Sequence, residues 1–489
     1  MAAVAVAVAS MACFLVVLKL TAVHRVLAMI PSTAVAGVTA MLNTELDDDA
    51  KEHAVQQAGL RLLILAWQIS WRIALALGSV GIPILTADLL DLVQSEISLS
   101  ILMRFDVIVI FSILGILLAL ALKQLASAPG DQSDKISDSN AYGAGGRLVH
   151  ALAFSGPSTQ QQLARFDNWL FADTIADIPD NPPIFITSLA RGGTTALLNA
   201  MHDLPLISTH RYCDMPFMSA PMLWSQLARR SRVVAERERA HGDGIRINLQ
   251  SPEGFDEIFW RLYWPEKYRK TALLLWQRSD FKAEAQHFFR MHFRKIAKLR
   301  HPITASAVRY LSKNNANIAR LDLLPTLFPG CQLIIALREP SAHSASLHRQ
   351  HLNFIHLHNK DAFAMRYMKD IGHLEFGALH RPIAFDPDVL AGYDPTQPNY
   401  WLVYWITAFE HIRKHISKLL ILSQDSLRSA PQNTMDILLE RLNIGHVPTH
   451  DFRRYFHCKP DAPMSDLFDA DLLRRARDTY EHLLAFAVR

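Results

Sequence analysis

The sequence predicts a parallel-sheet α/β domain preceded by an N-terminal α-helical transmembrane region. Three observations carry this reading. Short apolar runs alternate with helical stretches through the C-terminal part of the chain. One of those runs ends in a glycine-bearing loop that opens a helix. Three long stretches with few or no charges precede them all.

The apolar stretches come first. Ala2–Leu18 is uncharged, Leu62–Leu85 is apolar apart from Gln68, Ser70, Arg72 and Ser79, and Val107–Leu122 is again uncharged. A spanning helix needs about 20 apolar residues, so residues 1–125 read as a region of about three spans. A cleaved signal peptide would need a basic segment before the first run, and none stands there. Arg72 makes the middle run the costliest to embed. The segment between runs one and two carries Lys19, Arg25, Lys51 and Arg61. The segment between runs two and three has only Arg104 among Asp88, Asp91 and Glu96. Lys123, Lys135 and Arg147 follow the third run. The positive-inside rule then predicts a multi-pass membrane protein with its large C-terminal part in the cytoplasm.

Residues 126–146 are rich in Ser, Asp, Gly and Ala and read as a linker. The globular domain is expected over residues 147–489. Its composition narrows the function classes. The net charge is +4, from 50 basic and 46 acidic residues in 489, which is no signature of nucleic-acid binding. Four cysteines at 13, 213, 331 and 458 are too scattered for a disulfide framework or a zinc site and suit a reducing compartment. The histidines at 343, 348, 351, 356 and 358 have no acidic partner at metal-ligand spacing, so no metal is expected.

Pro182-Pro183 precedes the apolar run Ile184–Thr187; Ser188–Thr195 is a loop, and Ala196–Met201 reads as a helix. A second unit has a helix over Leu321–Leu327, a turn at Pro329-Gly330, a strand over Gln332–Leu337 and a helix over Ala342–His351. A third pairs Leu419–Leu422 with a helix near Asn433–Leu442. Two further helices, Gln226–His241 and Asp280–Arg300, are rich in Arg and Lys. The latter could face lipid head groups or an acidic substrate, although such a helix more often has only a solvated face. Trp260, Trp264, Trp276, Trp401 and Trp405 read mainly as core, with an acceptor pocket as the alternative.

A loop between a strand and a helix N-terminus offers unpaired N–H groups and a positive dipole end to an anion. In Arg191-Gly192-Gly193-Thr194-Thr195 the glycines let a phosphate come close, the threonines donate hydrogen bonds, and Arg191 adds a forked cation. A Walker A loop would read GxxxxGK[ST]. Here Ser188 stands at the first glycine and no lysine follows Gly193, which disfavours a magnesium-dependent NTPase.

These motifs resemble the sulfotransferases that use 3′-phosphoadenosine-5′-phosphosulfate (PAPS). Ile184–Leu198 is similar to that family's strand and phosphosulfate loop, in a P-loop-like fold. Leu333–Ser346 is similar to its 3′-phosphate element, with Arg338 ending a strand and Ser346 eight residues on. Lys313, about 25 residues before Arg338, recurs in the tyrosylprotein branch, and Leu420–Leu427 resembles the late strand and turn. The resemblance spans about residues 180–445. It implies PAPS as co-substrate and PAP (3′-phosphoadenosine 5′-phosphate) as product, with Arg191, Gly192, Gly193, Thr194, Thr195, Lys313, Arg338 and Ser346 binding the nucleotide. Arg191 and Lys313 would hold the migrating group and the leaving oxygen. The family's acidic base follows the loop by a little over twenty positions, where Asp214 stands, with His210 as competitor. The membrane region makes a lipid or glycan acceptor an expectation, beside small molecules. A nucleotide kinase or NTPase, or an inactive nucleotide-binding membrane protein, is the alternative.

Overall fold

The computed structural model describes residues 2–23, 26, 29, 48–103, 150, 153–154, 156–227, 237–238, 246–445, 450–456 and 464–488. The chain divides into two compact units, residues 1–138 and 139–489. The expected linker at 126–146 and the apolar run at 107–122 lie outside the described residues.

The first unit is helical: α1 (Ala2–Leu20), α2 (Asp48–Ser79), α3 (Gly81–Leu89) and α4 (Ser95–Leu102). Gln56–Leu89 is a helical stretch of 34 residues, long and apolar enough to cross a membrane. Its large side chains point outward, with Leu63 at 69% and Trp67 at 71% exposure, as lipid contact would require. The Arg72 guanidinium lies over the Trp71 ring at 5.2 Å and reaches Gln68 Oε1 at 3.5 Å. Among the described residues this is the one stretch that meets length and composition together. α1 is apolar but shorter, and the third expected run lies outside the described residues, so of the three expected spans the middle one meets these criteria among the described residues.

The second unit contains α5 (Pro157–Leu170), β1 (Ile184–Thr187), α6 (Thr194–His202), β2 (Ile207–Ser208), α7 (Pro221–Leu227), β3 (Arg237–Glu238), β4 (Arg246–Ile247), α8 (Glu257–Tyr263), α9 (Ala283–Arg300), β5 (Arg309–Lys313), β6 (Gln332–Leu337), α10 (Pro340–Lys360), α11 (Pro398–Lys414), β7 (Leu420–Ser423), α12 (Pro431–Arg441) and α13 (Ala470–Leu484), with shorter turns between. Five strands form one parallel sheet in the order β2-β5-β1-β6-β7. β1 is central and buried at all four positions, as a strand covered on both faces must be. Side chains alternate between two cores. Ile184, Ile186, Leu311, Ile334 and Leu422 pack with Leu197, Met201, Met435 and Leu438 of α6 and α12. Phe185, Tyr310, Leu333, Ile335 and Ile421 join the larger core with α8, α9, α10 and α11. The tryptophans 260, 264, 276, 401 and 405 are all buried there.

Two sequence expectations change. Of the helix expected over 226–241, residues 228–236 lie outside the described residues, and Arg237–Glu238 is not helical but pairs antiparallel with Arg246–Ile247. The basic helix α9 turns its cations to the protein. Arg294 Nε meets Asp180 at 2.7 Å, and Lys295 Nζ meets Asp167 at 2.9 Å with both side chains buried. Lys298 Nζ donates to the Pro302 carbonyl.

The Lys295–Asp167 pair joins α9 to α5, and Asp167 also accepts from the Leu223 N–H at 2.8 Å. Breaking a buried pair strands one charge, so Lys295→Ala should destabilise the intact protein by about 3–5 kcal/mol in denaturant titration. Replacing the pair together, as Lys295→Met with Asp167→Leu, should recover much of that loss.

Candidate functional site

The carboxyl ends of β1, β5, β6 and β7 converge on the loop after β1, the edge where ligands of open α/β sheets bind. The register sets the neighbours: Ile186 pairs with Lys313, and Thr187 with Ile335. Beyond Thr187 the chain turns sharply. Arg191 takes φ 66° and Gly193 φ 90°, and α6 starts at Thr194. A left-handed arginine is a strained backbone state that persists only where its surroundings enforce it.

Those surroundings are visible. Buried Ser188 Oγ donates to the Ala336 carbonyl of β6 at 2.7 Å. His343 of α10 lies 2.8 Å from the Ala190 carbonyl through Nε2, and its Nδ1 accepts from Trp405 Nε1 at 3.2 Å. An indole only donates, so Nδ1 is bare and Nε2 carries the proton given to Ala190. Gln424, just past β7, presses against Gly193, where an added Cβ would come within 2.1 Å of its amide nitrogen.

Most of the sequence-expected nucleotide residues meet here. Arg338 Nη1 donates to the Arg191 carbonyl at 2.9 Å, and Arg191 Nε to Ser346 Oγ at 3.4 Å. Thr194 Oγ1 reaches Asn315 Oδ1 at 3.3 Å, and Thr187 Oγ1 the Asn315 carbonyl at 3.1 Å. Gly192 closes the turn onto Leu189. Thr195 stands in the first turn of α6, whose N–H groups have no carbonyl of the helix to bind. Lys313 ends β5 and its Nζ lies 3.4 Å from Glu253 Oε1, with both side chains about seven-eighths buried. Two arginines, a lysine, two hydroxyls and a helix N-terminus can hold an extended polyanion.

Asp214 is placed differently. It is 5% exposed and bound to the Arg300 guanidinium, the Arg211 N–H and His210 Nδ1. Burial alone would raise its pKa, but Arg300 and the His210 hydrogen bond outweigh it and hold the carboxyl well below the usual range. A carboxylate so stabilised is a poor proton acceptor. His210 is fully buried: Nδ1 gives its proton to Asp214, and Nε2 faces His292 Nε2 at 2.8 Å. Both expected bases thus belong to a buried network. Counting along the sequence finds position 214 but not Arg300, which arrives from α9.

The sequence reading gives Glu253, Asn315, His343, Gln424 and Glu375 no role at this site. Asn315 lies two residues past Lys313, and Gly254 beside Glu253 is the local trace of a close backbone approach. His343 stands inside the histidine run without any pattern to mark it.

With this geometry in place, comparison with known proteins adds a match over part of the chain. Residues 182–381 match the model of the Sulfotransferase family. That stretch takes in the loop, Lys313, Arg338 and Ser346, and the match supports sulfuryl transfer as the reaction class. Two solved structures align with this chain. A sulfotransferase from Mycobacterium avium is 11% identical with TM-score 0.40, covering 76% of this chain and 96% of that one. A sulfotransferase from Mycobacterium tuberculosis is 12% identical with TM-score 0.39, covering 76% and 91%. No curated protein matches the sequence significantly.

Asp214 is expected to matter for folding. Its depressed pKa means that the folded state gains stability above the unfolded carboxyl value of about 4 and loses it as pH falls below. Asp214→Asn should destabilise the protein by about 3–5 kcal/mol at neutral pH, because Arg300 is left buried and unpaired. It should also flatten the acid limb of the stability–pH curve. Wild-type stability in the variant would return Asp214 to the candidates for chemistry.

Proposed function

We propose that residues 147–489 form a PAPS-dependent sulfotransferase that moves a sulfuryl group onto a hydroxyl or amine. The observation that carries it is the meeting of Arg338, Ser346 and Arg191 at one end of the β1 loop, with Lys313 at the end of β5, the other strand flanking β1. PAPS has phosphate on both sides of its ribose and so needs two anion subsites. On this reading Arg338 and Ser346 take the 3′-phosphate. Gly192, Gly193, Thr194 and Thr195 take the 5′-phosphosulfate through N–H and hydroxyl donors.

The transfer needs in-line geometry and a stabilised leaving oxygen. Arg191 and Lys313 supply fixed positive charge there, the electrostatic part a metal plays in many phosphoryl transfers, so the reading needs no metal. The contacts Arg338 makes to the Arg191 carbonyl would be exchanged for the nucleotide's oxygens on binding.

The acceptor side is read from the membrane region. A spanning stretch ahead of the domain favours an acceptor that stays at a bilayer, such as a lipid or a lipid-linked glycan. The proposed orientation places the domain in the cytoplasm, where basic residues of the first loop and of 123–147 would sit.

Two measurements test this. Arg338→Ala should weaken PAP binding by about tenfold or more, the worth of a charge-assisted hydrogen bond, while AMP binding changes far less. Equal losses for both nucleotides would remove Arg338 from the 3′-phosphate. Reporter fusions after Gly130 and within 88–100 should report opposite sides of the membrane, with the Gly130 fusion cytoplasmic. Two fusions on one side would overturn the proposed topology.

A further inference from the structure

Two carboxylates stand beside the carboxyl end of β5. Glu375 receives a hydrogen bond from Asn315 Nδ2 at 3.2 Å, and its other oxygen lies 3.3 Å from His373 Nδ1. Asn315 stands between it and Thr194 of the loop. Glu253 meets Lys313 itself, at 3.4 Å.

The placement of Glu253 is built, not incidental. The segment before it is tied to residues 211–213: the Tyr212 N–H donates to the Ser251 carbonyl, the Cys213 N–H to the Leu249 carbonyl, and Arg211 bridges to Pro252. The Glu253 N–H donates to the His210 carbonyl. Gly254 then passes so close to β5 that a Cβ would lie 1.9 Å from the Lys313 carbonyl oxygen. The side chain is aimed as well. Glu253 Oε2 accepts from Tyr212 Oη at 3.0 Å, and Oε1 from the Gly254 N–H at 2.8 Å. Tyr212 and Gly254 therefore hold a carboxylate against a cation for which the transfer has another use.

We infer that Glu253 is the acceptor-side base and that its contact with Lys313 is an interlock between nucleotide binding and base activity. This rests on the sulfotransferase reading above. Before nucleotide binds, Lys313 neutralises Glu253. When PAPS enters, the Lys313 ammonium turns to the oxygen bridging phosphorus and sulfur, and Glu253 loses its cation. The carboxylate left behind is a stronger proton acceptor. The acceptor oxygen then attacks sulfur. Its O–S bond forms as the sulfur–bridging-oxygen bond breaks. The bond's electron pair stays on the 5′-phosphate of PAP beside Lys313, and the acceptor's proton goes to Glu253. An acceptor arriving first would find the base neutralised, so nucleotide binds first.

The test combines binding and turnover on the full-length protein in detergent. PAP is titrated by calorimetry, and transfer is followed from PAPS with a labelled sulfuryl group to a total membrane-lipid and glycan extract. Glu253→Gln should bind PAP about three- to fivefold more tightly than wild type, because Lys313 no longer leaves a partner. It should lose about 10²- to 10⁴-fold in transfer. In a Lys313→Met background the same substitution should give no gain in PAP affinity, and Glu253→Asp should recover part of the transfer. Tight PAP binding by Glu253→Gln also reports that the variant is folded. Unchanged or weaker PAP binding would overturn the interlock. Retained transfer, or a larger loss in Glu375→Gln, would overturn the base. Wild-type protein that fails to bind PAP would instead sink the sulfotransferase reading on which both depend.

Discussion

The carboxyl end of β5 is held residue by residue by one short segment, 253–257. Asp256 accepts from the hydroxyls of Tyr310 and Ser312. Glu257 accepts from Asn314 Nδ2 at 2.7 Å, Glu253 faces Lys313, and Gly254 lies on the Lys313 carbonyl. The register to β1 then carries this fixed end to the loop, since Lys313 pairs with Ile186 and the Asn314 N–H donates to the Ile186 carbonyl. A slip of one residue would turn Lys313 to the opposite face and put Asn314 or Ser312 in its place. The cationic end of the site therefore depends on hydrogen bonds from a segment that belongs neither to β1 nor to the loop after it.

That dependence explains which parts were legible in the sequence. The β1 loop and the β6–Arg338–Ser346 element are local: a few adjacent residues define the turn, the helix start and the burial. Their geometry could be anticipated from Ile184–Leu198 and Leu333–Ser346 alone. His343, Glu253 and Asn315 act through partners far along the chain, as in the contact between His343 and Ala190. No spacing rule encodes such a contact. Asp214 shows the converse. Its distance from the loop suggested a base, yet Arg300 and His210 give it the surroundings of a buried ion pair. The α9 cations likewise looked like a surface for acidic partners until Asp167 and Asp180 were seen to receive Lys295 and Arg294.

Behind the site a second layer stiffens the first. Arg320 lies between the rings of Trp260 and Trp276, 4.3 Å from each, and donates to Glu257 Oε1 at 2.8 Å. Tyr268 joins the same carboxylate. Burial would raise the Glu257 pKa, but Arg320 and these hydrogen bonds overcome it and keep the carboxyl low. The charge stays on Glu257, so the Asn314 anchor persists over the range in which the enzyme would work.

The two cations of this region are thereby fitted to opposite tasks. Arg320 is fully buried, flat between two indoles and bound to Glu257 and Asn317, so moving it would cost stacking and strand a carboxylate. Lys313 has a fixed backbone but a partly accessible ammonium on four methylenes, with a longer 3.4 Å contact to its carboxylate. A single contact of that length on a flexible side chain exchanges more readily than a short one held by a stacked guanidinium. Rigidity is placed in the strand and the arginine sandwich behind it, and mobility in one lysine side chain. A site that must hold an anion during transfer and let it go afterwards needs that division.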